Sequence, residues 1–114
     1  MGANPQTEIL ERDSVLAEIV RRLVYAYQPR RVYLFGSKAR GDAGPDSDYD
    51  LLIVVADDAP ADRRKNLLAH GSLWDMGTAA DVLVCTEQYF VSRRGVVNSI
   101  PATVISEGKL LYAA

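Results

Sequence analysis

The sequence predicts a small α/β (α+β) domain, a mixed sheet of three to four strands backed by helices. Three observations carry that expectation. Apolar side chains recur at helical spacing from Thr7 to Tyr27. Three short runs rich in β-branched and aromatic residues, Arg31 to Phe35, Tyr49 to Val55 and Ala80 to Cys85, are separated by stretches patterned as helices. A chain of 114 residues, 48% hydrophobic and 25% charged, has the composition of a folded protein and the length of one core, so a single domain over 1–114 is expected.

The first helix follows from Ile9, Leu16, Ile19, Val20, Leu23, Val24 and Tyr27, which fall on one stripe, and Pro29 is its expected stop. Arg31 to Phe35 then reads as a strand that runs through Gly36-Ser37 into a tight turn and a short helix. Ala43-Gly44-Pro45-Asp46 is turn chemistry. Tyr49 to Val55 is apolar on both faces, which places it in the centre of the sheet. Asp62 to Trp74 reads as a helix with Leu67, Leu68 and Trp74 packed and Arg63, Arg64 and Lys65 wet, broken by Gly77. Ala80 to Cys85 is a third, buried-looking strand. Thr86 followed by Glu87 and Gln88 reads as the capped start of another helix. A last helix is expected from about Pro101 and a final extended piece at Leu110 to Tyr112.

Thirteen basic against fifteen acidic residues give a net charge of −2, which lacks the broad positive field of a long nucleic-acid track. The pairs Arg30-Arg31 and Arg93-Arg94 and the run Arg63-Arg64-Lys65 read as solvated faces. The longest apolar run, Leu51 to Ala56, is far short of the roughly 20 residues that cross a bilayer, and no signal-peptide core precedes Glu11. A cytoplasmic protein is expected. The lone Cys85 lies in an apolar run and reads as a small buried hydrophobe. His70, the only histidine, has no second ligand within reach by sequence and reads as a solvated or half-buried side chain.

One stretch carries chemistry: Gly36-Ser37-Lys38-Ala39-Arg40-Gly41-Asp42, followed by Asp46-Ser47-Asp48-Tyr49-Asp50. Gly36 allows a sharp turn with close backbone approach, and Ser37 offers a hydroxyl and an amide at a helix start, where phosphate oxygens are favoured. A plain strand-to-helix turn with a serine cap would look the same. Asp48 and Asp50 leave the same face of a strand start, and like charges about 4 Å apart repel by about 4 kcal/mol at an effective dielectric near 20. A solvated acidic turn is the alternative; a cation between them is the reading that the adjacent Gly36-Ser37 favours. If the next strand neighbours this one, Asp81 completes a three-carboxylate cup whose oxygens suit magnesium or manganese better than zinc. Asp46-x-Asp48-x-Asp50 opens like a calcium loop, but Leu51 and Asp57 stand where that loop needs Gly and Glu. Gly36 and Gly41 share the glycine spacing of a phosphate-binding loop, but Asp42 and Ala43 replace its Lys and Ser/Thr.

These residues, continuing through Leu51-Leu52-Ile53-Val54-Val55, resemble the signature of the DNA polymerase β-type nucleotidyltransferase superfamily, and more closely the minimal nucleotidyltransferases (MNT or MntA-type antitoxins) of prokaryotes. The resemblance covers nearly the whole chain and implies the nucleotidyltransferase fold. It implies that Gly36 and Ser37 hold the triphosphate tail of ATP, and that Asp48, Asp50 and Asp81 are catalytic and bind two magnesium ions, for which manganese can substitute. Asp81 is placed by strand order and not by a motif of its own. Lys38 stands where many relatives have Arg, and Lys38 and Arg40 are given no role beyond phosphate contact. The implied partner is a HEPN-domain toxin modified with AMP on a tyrosine. Two other readings are weighed: a nucleotidyltransferase acting on a small hydroxyl compound such as an aminoglycoside, whose relatives carry an extra helical domain, and a non-catalytic subunit that neutralises its partner by contact, against which the three acids argue.

Overall fold

The computed structural model describes residues 5–44 and 47–114; of the turn expected at Ala43 to Asp46, Pro45 and Asp46 lie outside the described residues. Four strands, β1 (Arg31–Phe35), β2 (Tyr49–Val55), β3 (Ala80–Thr86) and β4 (Lys109–Ala113), form one mixed sheet in the order β3-β2-β1-β4. β1 runs antiparallel to both β2 and β4, whereas β2 and β3 are parallel. β2 is interior, as its unbroken apolar run predicts, and Leu51 through Val55 are all buried. β3 departs from expectation: it is an edge strand whose side chains are mostly half-buried, because among the described residues only β2 pairs with it.

The expected long first helix is two, α1 (Pro5–Arg12) and α2 (Ser14–Tyr27). Asp13 between them is extended, and its carboxylate accepts the amide of Leu16 at 3.0 Å, so a local N-cap interrupts an otherwise continuous stripe. Leu16, Ile19, Val20, Leu23 and Tyr27 are the buried face of α2, which stops at Gln28 in the left-handed conformation, one residue before Pro29. α3 is the four-residue turn Ser37–Arg40.

The helix expected over Asp62 to Trp74 is also broken, into a 3₁₀ turn (Ala61–Arg64), α4 (Asn66–Leu73) and a second 3₁₀ turn (Trp74–Met76). Lys65 is extended and its side chain caps nothing. The buried Tyr27 hydroxyl does the joining instead: it donates to the Lys65 carbonyl and accepts the Ala69 amide at 2.9 Å, fastening the start of α4 to the end of α2. Tyr27→Phe is therefore expected to cost about 1–3 kcal/mol in urea unfolding, since it strands a buried amide, with the m-value unchanged.

Past Gly77, whose φ of +66° closes the second 3₁₀ turn, the chain enters β3, then α5 (Glu87–Arg93) and α6 (Ile100–Glu107). Thr86 caps α5 as expected, accepting the Tyr89 amide at 3.2 Å. One face of the sheet packs Val32, Leu34, Leu51, Ile53 and Val55 against α2 and α4; the other packs Phe35, Leu52 and Val54 against Phe90 of α5 and Val104 of α6. Cys85 lies against this second cluster, and burial pushes its thiol up to about 11, which suits an inert apolar position. Among the described residues no helix is long and apolar enough to cross a membrane.

Candidate active site

Strand register assembles the site. Phe35 pairs with Asp50, and Asp50 pairs with Asp81, so one transverse row crosses β1, β2 and β3. β1 ends where β2 and β3 begin, which brings Gly36, Asp50 and Asp81 to the same end of the sheet. Register partners on adjacent strands point to the same face, so the Asp50 and Asp81 carboxyl groups stand side by side. Asp48 lies just ahead of β2, exposed like Asp81, while Asp50 is half-buried.

The charges in this row act on one another. Burial first, then the negative charges of Asp81 and Asp48, push the Asp50 carboxyl above its usual range, and Arg40 only partly opposes them. Acidic oxygen donors gathered in this way about Asp50 fit a hard divalent cation such as magnesium or manganese. Among the described residues, however, no three His, Cys, Asp or Glu side chains close around a common point in this conformation. The row brings the charges within range of each other without drawing them into a cage.

Gly36 has φ +74°, and a Cβ there would overlap Asp50 Oδ2 and come within 3.0 Å of its Cγ. Glycine at this position thus makes room for a carboxylate as well as for a ligand, a reason that only the pairing of β1 with β2 reveals. The Gly36 carbonyl accepts the amides of Ala39 and Arg40 at 3.1 Å, which closes α3 into a single turn with Ser37 first. The opening amides of such a turn have no partners within the helix and are free to meet an anion.

The two basic residues of the motif are engaged with the protein. The Lys38 ammonium sits 4.4 Å from the centroid of the Tyr49 ring. Tyr49 in turn donates its hydroxyl to Asp13 Oδ2 at 2.8 Å, and burial together with that carboxylate holds its phenol up at about 12. Arg40 bonds Asp42 at 3.2 Å and reaches Glu107 of α6 at 3.1 Å.

One part of the site escaped the sequence reading. A cavity of about 520 Å³ adjoins the acidic row, and its lining includes Asp48, Asp81, Ala69, Leu73, Val82 and Trp74. Leu67 and Trp74, both expected to pack, are 74% and 78% exposed, because they continue the face of the helix that also carries the exposed His70 and Gly71, while Ala69 and Leu73 make the buried face. His70 is exposed, as expected, and also borders the cavity. The only sequence signal was indirect: an aromatic residue and a glycine shortly before the third acid.

Comparison with known proteins now adds to this geometry. Residues 14–108 match the family model described as the nucleotidyltransferase domain. A protein of Methanocaldococcus jannaschii named "putative protein adenylyltransferase" is 32% identical over 107 residues, covering 90% of this chain and 100% of that protein. The crystal structure of a "putative nucleotidyltransferase" from Sulfolobus solfataricus shares the fold with a TM-score of 0.59 at 22% identity, over 98% of this chain and 90% of the other. A chain from the complex of the tri-AMPylated Shewanella oneidensis HEPN toxin with its MNT antitoxin gives a TM-score of 0.51 at 19% identity, over 88% of this chain and 73% of that one.

Proposed function

The chain belongs to the nucleotidyltransferase domain family, and from that premise we propose that it transfers AMP from ATP to a tyrosine hydroxyl of a HEPN-domain partner, as the antitoxin of a toxin–antitoxin pair. The observation that carries the reading is the transverse row in which Gly36, Asp50 and Asp81 share one sheet end with Asp48 beside them. The M. jannaschii relative, named for protein adenylyl transfer, supports the reaction. The S. oneidensis complex, whose toxin carries AMP, supports the kind of partner.

In this reading Gly36 and the first amides of α3 receive the triphosphate tail, with the Ser37 hydroxyl as a further donor. Asp48, Asp50 and Asp81 would hold two magnesium ions, which, when bound, lower the pKa of the attacking hydroxyl and offset the charge on the departing pyrophosphate. Asp81, at the exposed end of the row, accepts the hydrogen bond of the incoming tyrosine hydroxyl, aims its oxygen at the α-phosphorus and takes up the hydroxyl proton as the oxygen attacks. A new phosphorus–oxygen bond forms to tyrosine while the bond to the β-phosphate bridging oxygen breaks, and pyrophosphate leaves on the far side. Asp50, seated in the wall of β2, fixes where that exchange occurs.

The test is transfer of labelled AMP to a co-expressed HEPN partner. The wild-type chain is expected to label a tyrosine of the partner, and the Asp48→Asn/Asp50→Asn double variant to leave it unlabelled. A double variant that still labels and still neutralises the partner would remove the assignment of these residues.

A further inference from the structure

The cavity beside the acidic row has no part in the roles assigned above. It lies at the start of β3, between that strand and α4, with Ala69, Leu73 and Val82 as an apolar floor and Asp48 and Asp81 in its lining. Strand alternation sends Asp81 and Val82 to opposite faces, yet both border it together with Asp48 and Ala79, so the cavity sits at the end of the sheet where β2 and β3 begin. Trp74 borders it too, with 78% of its surface exposed. A lone surface hydrophobe needs no explanation, but an indole beside an apolar floor that leads to two acids of the row does.

The order of strands gives the cavity a direction. If the Gly36-Ser37 turn at the end of β1 holds the triphosphate tail, pyrophosphate departs toward β1. In-line displacement places the attacking oxygen on the opposite side of the phosphorus, the side of β3. We propose that this cavity receives the phenol ring of the acceptor tyrosine, with Trp74 as the surface on which the ring stacks and Asp81 at its hydroxyl. The proposal rests on the AMP-transfer reading and extends it: the α4 to β3 connection selects an aromatic acceptor, and an aliphatic alcohol lacks the ring that Trp74 would hold.

Trp74 is the only tryptophan of the chain, so its fluorescence reports the cavity directly. N-acetyltyrosinamide, titrated into nucleotide-free protein and excited where only tryptophan absorbs, is expected to change that emission saturably, and N-acetylserinamide to leave it unchanged. With the same tyrosine probe as acceptor of labelled AMP, Trp74→Ala is expected to raise the acceptor KM about 10-fold. The KM for ATP should move less than about 2-fold and Trp74→Phe should recover most of the loss. The exposed position of Trp74 makes misfolding of either variant a minor concern, and circular dichroism checks it. Emission that fails to respond to the tyrosine probe, or that responds to ATP in competition with it, overturns the assignment. So does an unchanged acceptor KM in Trp74→Ala. The two readings fail separately: wild-type protein that transfers AMP to neither the probe nor the HEPN partner defeats the reaction, whereas transfer with an indifferent Trp74 defeats only the cavity.

Discussion

Gly36→Ala is expected to lose about 2 kcal/mol of stability and about 100-fold in AMP transfer, although a single methyl group is all that is added. Two costs combine at this residue. Its φ of +74° is a conformation that side chains with a Cβ adopt only under strain, and the new Cβ would occupy the space of Asp50 Oδ2. Relief requires the turn to unwind or the carboxylate to rotate away, and either spoils the row. Gly41 separates the two costs, since its φ is +86° but among the described residues a Cβ there meets nothing within 4 Å. Gly41→Ala should therefore lower the melting temperature by strain alone and keep most of the transfer rate. Thermal melts and single-turnover labelling of the pair check both halves. Equal loss of activity in the two variants would mean that Asp50 does not depend on the space Gly36 leaves.

Asp50→Asn should move function and stability in opposite directions. Transfer is expected to fall by about 1,000-fold or more. In metal-free buffer near neutral pH, the variant should melt at a higher temperature than the wild type. The sign follows from the direction of the carboxyl's shift. Burial and the neighbouring acids hold it above its ordinary range, so the folded state pays for its charge at all pH above the folded pKa and is relieved as the pH falls through that value. An amide carries no such charge, and the gap between variant and wild type should close on acidification. Magnesium should then raise the melting temperature of the wild type much more than that of the variant, because only the intact row offers the ion its full set of oxygens. A variant that melts lower than wild type without metal would show that Asp50 is held by favourable contacts and not against repulsion.

Most of the architecture is legible in the sequence, and the exceptions have physical causes. β1 and β2 fall where β-branched runs lie between turn residues, and Thr86 caps α5 as its spacing suggests. Asp13 breaks a stretch whose apolar period continues across it, because a cap is one residue's hydrogen bond and periodicity averages over many; Lys65 breaks the other by an extended backbone whose carbonyl the distant Tyr27 hydroxyl holds. The latch from Tyr27 to Ala69 spans 42 residues and has no local signature. For the site, Asp48 and Asp50 were visible as a pair on one strand, but Asp81 joins them only through the parallel register of β2 with β3. The exposure of Trp74 depends on which face of α4 is buried, and the adjacent apolar residues Leu67, Leu68 and Ala69 do not settle that by period alone.

β2 has a consequence for motion. Its five residues from Leu51 are covered on both faces and paired on both sides, the arrangement that gives amides the slowest hydrogen exchange in a small domain. Asp50 directly precedes that stretch. Amides of Leu51 to Val54 should thus exchange only through global opening, and the half of the acidic row carried by β2 should stay assembled through fluctuations that fray the outer strand bearing Asp81.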